Sequence, residues 1–310
     1  MISRLGKFVF WRLLQALVIL VGISFFTFLL LYIIPNDPAS LIAGRGASPS
    51  TIASIRAQLG LNQPFLIQYY HYMYNLVHGN LGYSYIQRVG VSELIRAHIG
   101  PTLELVSTAV FFEIVIGVTI GVISGVFRNS WADKFSMGFA YMSVAAPQFL
   151  TGMLLLYVFS LKLGWLPMGG YGGFGHLFMP ALTLGLVDAA WHSRVVRSEL
   201  IREVGEPYVT AAKAHGVSRS RIVLRHLVPI SVLPVPTIVG LDFGFLIANA
   251  VIVDEVFGWP GVGQLMWQSI QNTDAPIIMG VVLFAGFFIV SANIVADIAS
   301  YLIDPRIRLG

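Results

Sequence analysis

Five carboxylates interrupt the apolar runs of this chain: Glu104, Glu113, Asp188, Asp242 and Asp297. A charged side chain at the centre of a membrane helix costs about 2.5–3.5 kcal/mol on insertion scales, so each must face protein or water, or carry a proton. Asp188 and Asp242 lie well inside their runs among small residues, Gly185, Ala189 and Ala190 around the first and Gly240 and Gly244 around the second. Two chemistries suit such groups. They could line a pathway and favour a cationic or amino-bearing solute, or relay protons in a proton-coupled secondary transporter. A structural carboxylate paired with a neighbouring subunit is the alternative to both.

Bond-making machinery is missing. The chain has no G-x-x-x-x-G-K-[ST] loop to cradle ATP phosphates, no H-E-x-x-H and no G-x-S-x-G. The seven histidines show no ligand spacing, and the absence of cysteine removes disulfides and thiolate metal sites. The expectation is a non-enzymatic chain with no cofactor or metal of its own. Any energy from ATP must therefore enter through a partner.

These residues sit in a chain of 310 residues that is 56% hydrophobic and 11% charged, with mean hydropathy +0.77. Soluble domains are about 25% charged. This is an integral membrane protein in contact with the lipid bilayer, read as one domain over 1–310. Its net charge of +4 fits basic cytoplasmic loops and gives no reason to expect nucleic acid. Crossing about 30 Å of hydrocarbon takes roughly 20 apolar residues. Six spans are predicted, at 9–34, 102–127, 136–161, 179–196, 230–253 and 276–302. The first is too long for a secretory signal core of about 7–15 residues and is read as a retained helix.

With both termini cytoplasmic, only Arg45, Arg56, Arg88, Arg96 and Lys162 of the 19 Lys and Arg fall outside, as the positive-inside rule requires. Trp131, Trp165, Trp259 and Trp267 fall near the expected interfaces, as in an aromatic belt. The extracytoplasmic segment 35–100 carries helix signals of its own. A helix opens at Ser48-Pro49 and stops at Gly60, a second follows Pro64 to Val77 with an aromatic set suited to an interface, and a third covers 91–98. The loop 254–275, with Trp259, Pro260, Gly261 and Gly263, reads as a short re-entrant element on the outer side, a candidate outer gate.

The most informative segment is polar and basic. It lies between apolar spans at 197–229 and reads as helix, glycine break, helix, ended by proline. A structured cytoplasmic loop of this kind suits a surface held by another protein. Thr210-Ala211-Ala212, three residues, Gly216, then a run to Val228-Pro229 resembles the EAA motif of ABC-importer permeases. Both alanines, the glycine and the proline match that pattern, while Thr210, His226 and Val228 depart from it.

The resemblance extends from residue 9 to 308 through Ile34-Pro35-Asn36-Asp37-Pro38-Ala39, Leu59-Gly60-Leu61-Asn62-Gln63-Pro64, Thr102-Leu103-Glu104-Leu105, Leu163-Gly164-Trp165-Leu166-Pro167, Leu182-Thr183-Leu184-Gly185, Phe257-Gly258-Trp259-Pro260-Gly261-Val262-Gly263 and Asp304-Pro305-Arg306-Ile307-Arg308. It is similar to the B-type permease of dipeptide, oligopeptide and nickel importers. The resemblance implies an all-α, six-span type I importer permease in a bacterial inner membrane. It implies a homologous second permease, two cytoplasmic ATPase subunits and an extracytoplasmic solute-binding protein as partners. It also implies a coupling helix around Tyr208, Thr210, Ala211, Ala212, Lys213, Ala214 and Gly216, with Arg219 and Arg221 at its rim and Pro229 closing the segment.

Overall fold

The computed structural model describes residues 2–33, 38–44 and 46–303. The Ile34 to Asp37 part of the second motif above, Arg45, and the closing Asp304-Pro305-Arg306-Ile307-Arg308 lie outside the described residues. The long apolar helices are α1 (Ile2–Ile33), α5 (Val91–Val126), α8 (Phe174–Val204), α12 (Val235–Phe257) and α14 (Ala275–Ile303). Shorter helices fill the connections: α2 (Pro38–Ala43), α3 (Pro49–Gln58), α4 (Phe65–Val77), α6 (Trp131–Ala145), α7 (Gln148–Leu155), α9 (Pro207–Ala214), α10 (Arg219–Ile222), α11 (Val228–Ser231) and α13 (Val262–Gln271). Among the described residues five helices are long and apolar enough to cross a membrane, or six if the bent pair α6–α7 is one span.

That bent pair departs from the straight span expected at 136–161. The two halves meet at 110°. The cause is local: Pro147 has no N–H to donate and forces Ala146 out of the helical region, to ψ 130°. A second departure runs the other way. The short helix expected at 91–98 and the span expected from Thr102 are one continuous helix, α5, which passes through Pro101. A third is a two-stranded ladder in an otherwise helical chain, with β1 (Tyr83–Ser84) antiparallel to β2 (Val89–Gly90). Ser84 Oγ donates to the buried Asp274 ahead of α14, which fixes the ladder against the bundle.

Helix α1 carries Arg4, Lys7 and Arg12 in its first half, is apolar all round beyond Gln15 apart from Ser24 and Thr27, and exposes Phe10, Leu17, Val18, Phe26 and Leu30, as a lipid-facing helix should. The aromatic helix α4 packs on its second half. Tyr69 stands edge-on to Phe25 at 5.4 Å, and its hydroxyl meets Ser24 Oγ at 2.8 Å. Its opposite face leaves Leu66, Tyr70 and Tyr74 exposed.

The centre of the bundle is the α5–α8 seam. Gly117, Gly121 and Gly125 recur every fourth residue along α5, so one stripe of that helix has no side chain. A Cβ at Gly117 would stand 2.7 Å from His192 Cβ, and one at Gly121 2.7 Å from Val196 Cβ. From the other side, a Cβ at Gly185 would stand 2.4 Å from the Ala109 carbonyl oxygen. The two backbones are therefore in near contact. Around them Leu105, Val106 and Ala109 of α5, Leu184 of α8, and Leu246, Ile247 and Ala250 of α12 form the main core.

Candidate functional site

The basic segment leaves the end of α8 and folds back on it. Leu200, Val209, Ile222 and Leu227 make a small buried core under it. Val209 is 1% exposed, whereas its neighbours Thr210 and Ala211, with Lys213 and Ala214, are exposed. Ala212 is half-buried on the core side. Thus α9 is divided between a face that anchors it and an exposed face on which Thr210, Ala211 and Ala214 are small and Lys213 is the one long side chain among these four. Proline at its first turn starts the helix, and His215 caps its end.

Gly216 then reverses the chain at φ 75°, a left-handed conformation that costs other residues about 1–2 kcal/mol. A Cβ there would meet nothing within 4 Å, so the constraint is conformational rather than steric.

Tyr208 is 38% exposed, and its hydroxyl donates to Glu203 Oε2 at 2.9 Å. Loss of water around the hydroxyl, followed by that hydrogen bond and the nearby carboxylates, pushes the phenol up to about 12. Arg221 is exposed. Arg219 is not a free rim charge: its Nη2 donates to the Val126 carbonyl oxygen at 3.0 Å, satisfying the last turn of α5. The expectation that Pro229 ends a helix is corrected. It lies in the first turn of α11, directly after a π-helical turn at Val223–Leu227, where a proline needs no hydrogen-bond donor. A cavity of about 600 Å³ opens between this segment and the ends of α5 and α8, bordered by Arg128, Lys213 and Arg219.

The opposite end of the bundle holds the turn expected as an outer gate. Trp259 is fully buried, not part of an interfacial belt, and its Nε1 donates to the Pro101 carbonyl oxygen at 2.9 Å. Trp131 and Trp165 are exposed. Gly261 and Gly263 are buried and Pro260 half-buried, because Asp254 occupies the space that side chains there would need. Asp254 Oδ2 accepts from the Gly263 and Gln264 amides at 3.0 and 3.3 Å and so holds the start of α13. Thr102 Oγ1 accepts from the Val262 amide at 2.8 Å. The turn is packed against α5 as a brace, with exposed Gly258 and half-buried Pro260 as its accessible parts.

Within the membrane, Asp188 and Asp242 come together with two residues the sequence reading did not join to them, Glu113 and His192. His192 Nδ1 lies 3.1 Å from Glu113 Oε1, and its Nε2 lies 3.8 Å from Asp242 Oδ2. The available signal was local: His192 follows Asp188 by four residues and shares its helix face. Asp133 and Arg197, near the basic end, form a two-point ion pair that the sequence reading also did not single out.

The comparisons with known proteins agree on the class. Residues 117–309 match the family model described as binding-protein-dependent transport system inner membrane component, and residues 5–106 match its N-terminal counterpart. The glutathione transport system permease protein GsiC of Escherichia coli CFT073 is 39% identical over 302 residues, covering 97% of this chain and 99% of that protein. The GsiC proteins of Escherichia coli K12 and Salmonella typhimurium LT2 are each 38% identical with the same coverage.

Among solved structures, an inward-facing form of the MetNI methionine ABC transporter aligns with a TM-score of 0.57 at 18% identity, over 68% of this chain and 96% of that one. An amino acid ABC transporter aligns with a TM-score of 0.51 at 15% identity, over 68% and 95%. Both share the fold. From the family match and the relatives aligned over nearly their whole length, the chain belongs to the binding-protein-dependent transport system inner membrane components and is a non-catalytic, multi-pass permease subunit of an ABC importer.

Proposed function

We propose that this permease pairs with a second, homologous permease around a shared translocation pathway, and that two cytoplasmic ATPase subunits engage it through α9. An extracytoplasmic binding protein delivers the solute. In this arrangement both termini are cytoplasmic, 197–229 faces the ATPases and the 258–263 turn lies on the outer side. ATP and Mg belong to the ATPases. Closure of those subunits draws the two α9 helices together and reverses the access of the pathway. Asp188 and Asp242 contribute to the pathway wall, where their charge favours an amino-bearing or cationic solute. The solute class is a small peptide-like molecule, a reading supported by the glutathione-transport relatives at 38–39% identity.

The observation that carries the docking assignment is the division of α9. A buried Val209 anchors one face, while Thr210, Ala211, Lys213 and Ala214 present a slim exposed face beside a basic cavity. Small side chains allow a partner's groove to approach the backbone. The test is co-purification of the chain with its P-loop ATPases, alongside ATP-dependent uptake in proteoliposomes. Gly216→Val should retain a folded permease yet lose ATPase association or uncouple hydrolysis from uptake, since the reversal after α9 becomes strained. Full ATP-driven uptake by that variant would overturn the docking role.

A further inference from the structure

Three long helices, α5, α8 and α12, meet around Glu113 and His192, which the docking and pathway assignments do not explain, beside Asp242 of the pathway wall. Glu113 and His192 are both 0% exposed, and the Asp242 side chain is 23% exposed. One ligand atom each from Glu113, His192 and Asp242 can be chosen so that all lie within 4.8 Å of one another. Their only ion pairs among the described residues are with each other, and none brings in a Lys or Arg.

The tautomer of His192 decides what this group lacks. Its Nδ1 lies 2.9 Å from the Asp188 backbone carbonyl oxygen. A carbonyl only accepts, so Nδ1 carries the ring proton. In the neutral ring Nε2 then presents a lone pair, and it faces the Asp242 carboxylate with no hydrogen bond. Glu113 Oε1 lies 3.1 Å from the same Nδ1 but outside hydrogen-bond geometry, and Glu113 Oε2 has no hydrogen-bond partner. With both carboxylates ionised, acceptors from three helices converge in the apolar interior, and the donor beside them, the His192 Nδ1–H, is already taken by the Asp188 carbonyl. Buried polar atoms are ordinarily satisfied, and an uncompensated buried carboxylate is far more costly than a neutral group.

A shared cation resolves this. We propose that Glu113, His192 and Asp242 bind one divalent transition-metal ion through carboxylate oxygens and His192 Nε2, with the Asp188 carbonyl fixing the ring. A backbone carbonyl on the far nitrogen is the usual way a metal-binding imidazole is oriented. One imidazole with two carboxylates suits zinc, cobalt, nickel or manganese better than a soft thiophilic ion. Metal–ligand bonds of about 2.1 Å put tetrahedral ligand atoms about 3.4 Å apart. The observed 3.8 Å between Nε2 and Asp242 Oδ2 is close to that. A bulky solute amine does not fit the fully buried Glu113 and His192 end, so this site shares Asp242 with the pathway proposal and differs from it at Glu113 and His192.

The ion could be resident or in transit, and both use the same ligands. The test titrates Co²⁺ into the chelator-treated full-length permease in nanodiscs and follows the cobalt visible absorption. One saturable equivalent, displaced by Zn²⁺, is expected. Glu113→Gln, His192→Asn and Asp242→Asn should each weaken it by tenfold or more.

Asp242→Asn, at the most exposed ligand, guards against misfolding of the other two variants. Electron spin-echo spectroscopy of the Cu²⁺-loaded wild type should show one coordinated imidazole, a readout that needs no variant. Metal retained stoichiometrically in the assembled transporter as purified marks a resident ion; binding only on addition marks one in transit, and both support the site. No saturable cobalt signal in the wild type, no imidazole coupling, or unchanged affinity in folded variants overturns it, whatever the outcome of the α9 experiments.

Discussion

Arg197 grips Asp133 at two points, Nε to Oδ1 and Nη2 to Oδ2, both at 2.9 Å. The pair ties α8 to the first turn of α6. Asp133 also accepts from Ser124 Oγ at 3.0 Å and from the Asn129 amide at 2.9 Å, so the same carboxylate closes the α5–α6 turn. This bracket stands beside the segment that carries α9.

Removing Arg197 leaves Asp133, whose side chain is 6% exposed, without its cation. Breaking a fully buried pair costs about 3–5 kcal/mol. With Arg197 28% exposed, the loss should fall at the lower end of that range. Arg197→Ala should lower the thermal midpoint of the detergent-solubilised permease. Arg197→Lys should recover only part, because a lysine cannot make the two-point contact. Equal stability of wild type and Arg197→Ala would show that the bracket is not structural.

The α5–α8 seam yields a contrast among glycines. A Cβ at Gly117 would stand 2.7 Å from His192 Cβ and 2.8 Å from the Ala189 carbonyl oxygen, so Gly117→Ala must push two helices apart. Overpacking of this kind costs about 1–3 kcal/mol. Gly138 on α6 has nothing within 4 Å, and alanine there should be neutral or stabilising by up to about 1 kcal/mol in the isolated chain. Melting curves of the two variants, compared side by side, check both signs.

The pathway assignment predicts altered solute handling in Asp188→Asn and Asp242→Asn. Both side chains are half-buried, which gives them access to a pathway as well as to Glu113 and His192. Uptake in proteoliposomes should show weaker apparent affinity for a cationic or amino-bearing solute, with ATPase association retained. Unchanged affinity and rate in both variants would remove them from the pathway.

The membrane class, the long apolar helices and the helix–glycine–helix rhythm around Gly216 were legible because they are local: runs of apolar residues, a proline, a glycine. The same signals misjudged continuity at both prolines. Pro101 lies inside a helix and Pro147 bends one, and the neighbours in space decide which. Trp259 was legible as an aromatic near an interface, but its burial depends on Pro101, which is 158 residues away. His192 illustrates the same limit. Its partner on α5 is specified by the Gly117 stripe that lets α8 approach, and no pattern within α8 reveals it.

The two faces of α9 can be separated by neighbouring residues. Val209 is 1% exposed against Leu200, Ile222 and Leu227, and burying such a side chain is worth about 1.5–3 kcal/mol. Val209→Ala should therefore destabilise the permease itself by part of that amount and loosen α9. Ala211 is exposed. Ala211→Trp should leave the thermal midpoint of the isolated chain unchanged, yet block close approach of an ATPase groove and reduce co-purification at least tenfold. The pair distinguishes a docking surface from a merely solvated loop. If Ala211→Trp assembles and transports like the wild type while Val209→Ala unfolds, α9 is a structural flap and the ATPase contact lies elsewhere.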